Sequence, residues 1–210
     1  MLEKGLLLVL SGPAGSGKST IAESVIKKNP ECYMRSVTAT TRKPRMGETD
    51  GVDYFFMNRD EFEKKISGDG FIEYTEFNGN LYGTPKDVLE KNLAKDKVVI
   101  LVIEVEGAAN IKKNFANAVH VFVLPPTEKD LRRRLSNRGT ENFKDIENRL
   151  EIAKKEIERI KNYDYLIIND SLEAAVEDLD RIARVMQSHH IRGGEKQAWL
   201  DNAYDGWHKK

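Results

Sequence analysis

The stretch Ser11-Gly12-Pro13-Ala14-Gly15-Ser16-Gly17-Lys18-Ser19-Thr20 constrains this chain more than any other. It follows an apolar run of strand length at 6–10 and opens into residues 21–28, which read as a helix. The turn fits G-x-x-x-x-G-K-[ST] at every fixed position, in the strand, loop and helix context that a phosphate-binding loop requires. Glycines take positive φ without a Cβ penalty, so successive backbone N–H groups can curl around phosphate oxygens. A helix that begins near Lys18 adds its partial positive end to the same anion. Lys18 then reaches the β- and γ-phosphates, and the Ser19 hydroxyl is a ligand for Mg²⁺.

Apolar runs recur at 98–103, 119–123 and 165–168, with a short strand candidate at 33–37. With residues 6–10 they make five strands alternating with helices, the pattern of a parallel α/β sheet covered on both faces. Ligands of such sheets bind beyond the carboxyl ends of the strands, where Glu104 and Glu106 follow the 98–103 run.

Between the second and third of these strands the pattern changes. Residues 38–48 are polar and aperiodic and place Arg42 and Arg45 three apart, either as a second anion clamp or as a solvated basic loop. Residues 53–57 read as a strand, and Asn58 with Glu61 as a capped helix start whose Phe62 and Ile66 share a face. Residues 71–77 alternate and run into Asn78-Gly79, a strong hairpin signal. The segment 38–84 is therefore expected to be a small, mostly antiparallel insertion. Thr84-Pro85 reads as the cap and first position of a helix reaching about residue 95.

Residues 125–130 end a strand and open a helix carrying Arg132, Arg133 and Arg134, with Arg138 just beyond. This cluster is either a solvated face or a phosphate-contacting lid, and its place between two sheet strands favours the lid. Ile146, Leu150, Ala153, Ile157 and Ile160 form one apolar stripe flanked by Arg149. A last helix, capped by Ser171, presents Leu172, Val176, Leu179, Ala183 and Met186. The tail from Gln187 onward, with His189, His190, Trp199 and Trp207, matches no recognisable chemistry.

A chain of 210 residues with 40% hydrophobic and 32% charged content is long enough for one well-buried core with small inserted subdomains. Its formal net charge of zero gives no whole-chain reason to expect a nucleic-acid or membrane partner. The single cysteine, Cys32, excludes an intramolecular disulfide framework, fits a reducing cytoplasm and is expected to be a small packing residue. No apolar run is long enough to span a bilayer, and no secretory signal is expected.

Together these segments resemble guanylate kinase over roughly residues 6–186. The resemblance rests on the loop at 11–20, Thr40-Thr41-Arg42-Lys43-Pro44-Arg45-Met46-Gly47-Glu48, Asp50-Gly51-Val52-Asp53-Tyr54, Gly79-Asn80-Leu81-Tyr82-Gly83-Thr84 and Arg138-Gly139-Thr140-Glu141. It implies transfer of the γ-phosphoryl group of MgATP to GMP, and to dGMP, by a protein that is a monomer or homodimer. It implies ATP contacts from Gly12, Pro13, Ala14, Gly15, Ser16, Gly17, Lys18, Ser19, Thr20, Arg134 and Arg138. Arg42, Arg45, Tyr54 and Tyr82 would hold the GMP phosphate, while Thr38, Glu73, Thr84 and Glu104 would read the guanine. Lys18, Arg42, Arg138 and Arg149 would carry the charge of the transferring group.

The implied division is a core of 1–37, 85–126 and 151–190, a GMP-binding subdomain at 38–84, a lid at 127–150 and a tail at 191–210 of no assigned role. Two positions depart from the family pattern. Val102 stands where an acidic residue usually helps organise Mg²⁺ through water, and Glu106 replaces a more usual glutamine. The competing readings are a kinase for another phosphorylated acceptor, such as ribose 1,5-bisphosphate, and a non-catalytic guanylate-kinase-like module. Glu73, Thr84, Tyr54 and Tyr82 argue against the first, and the intact loop argues against the second.

Overall fold

The computed structural model describes residues 5–77, 79–136 and 143–188. In chain order the elements are β1 (Leu6–Ser11), α1 (Lys18–Lys28), β2 (Tyr33–Arg35), β3 (Thr38–Thr40), β4 (Tyr54–Phe56), α2 (Arg59–Ser67), β5 (Phe71–Phe77), β6 (Asn80–Pro85) and α3 (Lys86–Leu93). They continue with β7 (Val98–Val102), α4 (Val105–Asn114), β8 (Val119–Leu124), α5 (Glu128–Ser136), α6 (Phe143–Ile157), a 3-10 turn (Ile160–Asn162), β9 (Tyr165–Ile168) and α7 at 172–188.

The five expected strands form one parallel sheet in the order β2-β7-β1-β8-β9. Every residue of β1 is buried, which is why its sequence is continuous rather than alternating. Leu6, Leu8 and Leu10 pack with Ile21 and Val25 of α1 and Val176, Leu179 and Ala183 of α7. Leu7 and Val9 join the opposite cluster with Leu89, Leu93, Ala108 and Ile111 of α3 and α4. At about 1.5–3 kcal/mol for each fully buried aliphatic side chain, this two-sided burial fixes the central strand. The register then brings the turns after β1, β7 and β8 to one edge, because Leu10 lies beside Val102 and Ser11 beside Phe122.

The insertion is a second sheet in the order β4-β3-β6-β5. It is mostly antiparallel as expected, with β3 and β4 paired in parallel. Phe77 faces Asn80 across the expected hairpin, whose Gly79 has φ +73°; Asn78 lies outside the described residues. The Asn58–Glu61 capping box forms in full, and α2 drives Phe62 against Phe71 with ring centroids 4.3 Å apart. Ser171 caps α7 as read, through a 3.4 Å bond from the Ala174 N–H.

Four expectations are corrected. The expected helix opens one residue late, with Pro85 rather than Thr84 as its N-cap, because the ladder and a hydroxyl bond to Glu73 hold Thr84 in the extended backbone of β6. The α6 stripe stops at Ala153, since Ile157 is 39% exposed at the helix end and Ile160 lies in the following 3-10 turn. Leu172 is 43% exposed in the first turn of α7, while Val176, Leu179 and Ala183 are buried. Cys32 is an exposed thiol beside the first buried residue of β2, not a packing residue. The tail readings at 189–210 lie outside the described residues. Among the described residues no helix is long and apolar enough to cross a membrane.

Candidate active site

The loop between β1 and α1 is shaped by three glycines with positive φ: Gly12 (+136°), Gly15 (+88°) and Gly17 (+98°). A Cβ on Gly12 would meet the Val123 carbonyl oxygen at 2.3 Å, so this turn needs glycine for space as well as for conformation. The buried Lys18 Nζ donates to the carbonyls of Gly12 (2.6 Å) and Pro13 (3.0 Å), closing the loop from inside. Gly12, Pro13 and Ser16 are buried, while Ala14, Gly15, Gly17, Lys18, Ser19 and Thr20 line an open cleft. The first turn of α1 carries no acidic residue and no side-chain cap, which leaves its N–H groups for an anion.

Across the same cleft stand Arg42, Arg45, Tyr54 and Tyr82 of the insertion, with Glu104, Val102 and Arg149 also lining it. Arg42 is gripped by Glu48 through two parallel bonds of 2.9 and 2.8 Å, and Glu48 also accepts the Arg45 N–H at 2.6 Å. The Arg42 guanidinium holds the Glu48 carboxyl below its usual range. It also lies 5.4 Å from the Tyr54 ring centre, and Tyr54 meets Tyr82 edge-on at 6.2 Å. Burial pushes the Tyr54 hydroxyl pKa up, which keeps it a donor.

Beyond this clamp the cleft narrows into a pocket lined by Thr38, Tyr54, Glu73, Tyr82, Ile103 and Glu104, with Gly107 at its wall. Glu73 is buried, accepts the Thr84 hydroxyl at 2.6 Å, and keeps Oε2 without a partner. Burial, opposed by the Thr84 bonds, pushes its carboxyl up to about 7. Glu104 stands at the N-cap of α4 without capping it, so its carboxylate remains available to the pocket.

The sequence-derived residues thus meet in one cleft and the pocket beyond it, with six exceptions. Gly12, Pro13 and Ser16 are buried in the loop; Thr84 is fully buried and donates to Glu73; Arg134 turns onto the loop, with Nη1 3.3 Å from the Ser16 oxygen; Arg138 lies outside the described residues. Of the other lid arginines, Arg132 pairs with Glu147 and Glu128, and Arg133 with Asp130, the solvated-face reading for both.

Four residues escaped the sequence reading. Glu48 is the lone acid in the basic stretch 42–48, which was a usable signal. Asn169 directly follows the last sheet strand, at the carboxyl edge where ligands bind. Arg35 bridges the two sheets, donating to the Asp53 carbonyl at 3.3 Å, and only the fold reveals it. Glu156, in the last turn of α6, is pushed up to about 7 by burial and then by Glu104, with Lys18 opposing; nothing in its helix pattern marked it.

The sequence model of the family described as guanylate kinase matches residues 4–186. A guanylate kinase of Bacillus cereus is 47% identical over 189 residues, covering 90% of this chain and 91% of the relative. One of Carboxydothermus hydrogenoformans is 46% identical over 181 residues, covering 86% and 88%. The crystal structure of guanylate kinase from Anaplasma phagocytophilum superposes with a TM-score of 0.72 at 35% identity, covering 87% of this chain and 86% of that one. The chain belongs to the guanylate kinase family.

Proposed function

We propose how this chain carries out the reaction of its family, transfer of the γ-phosphoryl group of ATP to GMP to give ADP and GDP. The observation that carries the reading is the meeting, in one cleft, of the glycine loop with Lys18, the Arg42–Tyr54–Tyr82 clamp and the buried Glu73. The loop N–H groups and Lys18 hold the ATP phosphates, with Arg134 and Arg138 on the lid side. Arg42, Arg45, Tyr54 and Tyr82 hold the GMP phosphate. Guanine presents N1–H and N2–H₂ donors, which Glu73 and Glu104 accept, with Thr38 and Thr84 beside them.

The attacking oxygen belongs to an ionised phosphate, so no general base is required. Catalysis is positioning and charge neutralisation by Lys18, Arg42, Arg138 and Arg149. Segments 38–84 and 127–150 close over the substrates and exclude water, which would otherwise take the phosphoryl group. The exposed Ser19 hydroxyl opens onto the cleft that Glu104 also lines, an oxygen donor set suited to Mg²⁺. When bound, Mg²⁺ neutralises charge on the phosphate chain.

The test is ATP-dependent ADP formation with GMP, dGMP, AMP, UMP, ribose 1,5-bisphosphate or no acceptor. Rapid turnover is expected with GMP and dGMP only. Lys18→Ala should lower kcat by on the order of 10²-fold or more, the cost of removing a transition-state charge contact. Silence with GMP and turnover with the bisphosphate would replace the acceptor assignment.

A further inference from the structure

The core sheet is covered on both faces except at its β9 edge. Side chains of β9 alternate between the faces, and the pairing with β8 sets Ile167 beside Val123 and Leu166 beside Phe122. On one face Ile167 is buried in the cluster that α1 and α7 complete. On the other, Phe122 is fully buried with the Tyr163 ring centre 4.8 Å away, yet Leu166 and Ile168, one strand farther out, are 47% and 46% exposed. Two large apolar side chains therefore stand in a row on an edge strand, with no further strand beside it among the described residues. Natural sheets usually cover such an edge or break it with charge.

The chain itself carries a cover to this place. After β9, α7 runs back along the strand, and Met186 Sδ accepts the Tyr165 hydroxyl at 3.3 Å. Residue 189 therefore follows a helix end that lies beside the first residue of β9. In the sequence beyond, Leu200, Tyr204 and Trp207 recur at spacings of four and three, with Trp199 and Ala203 alongside and Asp201, Asn202 and Asp205 between them. This is the pattern of one apolar helix face. At the helical rise the stretch 199–207 would be about 13 Å long, and the four residues of β9 span about the same at a strand's rise. The linking stretch 189–198 contains Gly193-Gly194 and can extend to about 33 Å, ample to pass round one edge strand.

We propose that residues 199–207 dock their apolar face on Leu166 and Ile168 of the same chain and complete the cover of the core sheet. The contact is one of side chains on a sheet face. A strand added beyond β9 through α7 would need a left-handed crossover, because α7 shares a face with α1 and would lead in the opposite direction across the sheet. The same chain is favoured over a second copy because a short tether holds the stretch at an effective concentration of about millimolar.

The test uses the full chain. Both of its tryptophans, Trp199 and Trp207, lie in this stretch, so tryptophan emission reports on it alone. In wild type, emission should be blue-shifted and several-fold less quenched by acrylamide than in the urea-unfolded chain, at concentrations that sedimentation velocity shows to be monomeric. Leu166→Gln with Ile168→Gln removes the apolar surface and should raise quenching toward the unfolded level. Leu200→Ser with Tyr204→Ser should do the same from the other side of the contact. Nuclear Overhauser contacts between the indole protons and the Leu166 and Ile168 methyls of wild type are expected as well, and they decide the matter should the β9 variant not fold.

Wild-type quenching equal to that of the unfolded chain would overturn the proposal. Protected tryptophans that do not respond to the β9 substitutions would also overturn it, since the stretch would then lie on another surface. Protection that appears only as the protein dimerises would make a second copy the occupant and overturn docking within one chain. None of these readouts depends on turnover with GMP, so failure of the kinase reading is a separate result.

Discussion

Glu73 and Thr84 face each other across the β5–β6 ladder, where Thr84 Oγ1 donates a 2.6 Å hydrogen bond to Glu73 Oε1 and Oε2 is left buried without a partner. A buried acceptor held in this way is costly until a donor arrives, which is what makes it selective. It also makes the site sensitive to pH. The Glu73 carboxyl is pushed up to about 7, chiefly by burial, so at neutral pH it is close to half ionised.

GMP affinity should therefore be constant above about pH 8 and fall by about tenfold per unit well below pH 7, because only the ionised form accepts both guanine donors. Stability should move in the opposite direction. The native pKa exceeds the ordinary value of 4.5, so the native state keeps this proton between pH 4.5 and 7 while the unfolded chain loses it. The contribution is fully present below about 4.5 and is lost as pH rises to about 7, on the order of 3 kcal/mol. Glu73→Gln should raise the Tm of the free protein at pH 8, flatten its dependence over this window and weaken GMP binding by on the order of 10²-fold. Calorimetry and GMP titration at pH 5, 6, 7 and 8 would check both parts; a parallel pH profile in the variant would assign the dependence elsewhere.

The Arg42–Glu48 pair carries a second prediction. Two bonds of 2.8 and 2.9 Å fix the guanidinium plane over the Tyr54 ring, and the third Glu48 contact ties down the turn at Arg45. Glu48→Gln keeps the shape and removes the charge, so the guanidinium loses its fixed plane. KM for GMP should rise by roughly tenfold, about 1.4 kcal/mol and so at the foot of the range for a charge-assisted bond, with KM for ATP nearly unchanged. Steady-state kinetics with each substrate varied in turn would separate the two effects, and an equal rise in both KM values would count against this role.

The parallel core was legible in the sequence because continuous apolar runs such as 98–102 have few alternatives to a strand covered on both faces. The loop at 12–18 and the Asn58–Glu61 cap were legible because their spacing is local and their hydrogen bonds are made within a few residues. Thr84-Pro85 misled for the opposite reason. A bond to Glu73, eleven residues away, keeps Thr84 in the strand and moves the helix cap on to Pro85. Asn169 was invisible on similar grounds, since its partner Ser16 lies 153 positions earlier in the chain.

Val102 offers a third prediction. It ends β7, pairs with Leu10 in the sheet and lines the cleft with Lys18 and Glu104. Valine cannot accept from a metal-bound water, and Mg²⁺ retains several waters in sites of this kind. Val102→Asp should shift the Mg²⁺ concentration needed for half-maximal activity and leave GMP affinity nearly unchanged. Titration of activity against free Mg²⁺ at saturating ATP and GMP gives the answer; an identical metal dependence would show that position 102 does not reach the metal's hydration shell.

The last prediction concerns Gly107, the third residue of α4, where alanine would ordinarily be favoured by up to about 1 kcal/mol. An alanine Cβ there would lie 2.7 Å from Glu73 Oε2, closer than real contacts allow. Glu73 is enclosed and bonded to Thr84, so it can yield only by giving up that bond or by leaving the pocket. Gly107→Ala should therefore separate stability from recognition. Tm should change by only a few degrees, with the helical gain offsetting local strain, while KM for GMP should rise by about tenfold or more and KM for ATP should stay within about twofold. Alanine at 107 with unchanged GMP kinetics would mean that the Glu73 carboxylate moves freely in this pocket, and the buried oxygen could not then be the element that selects guanine.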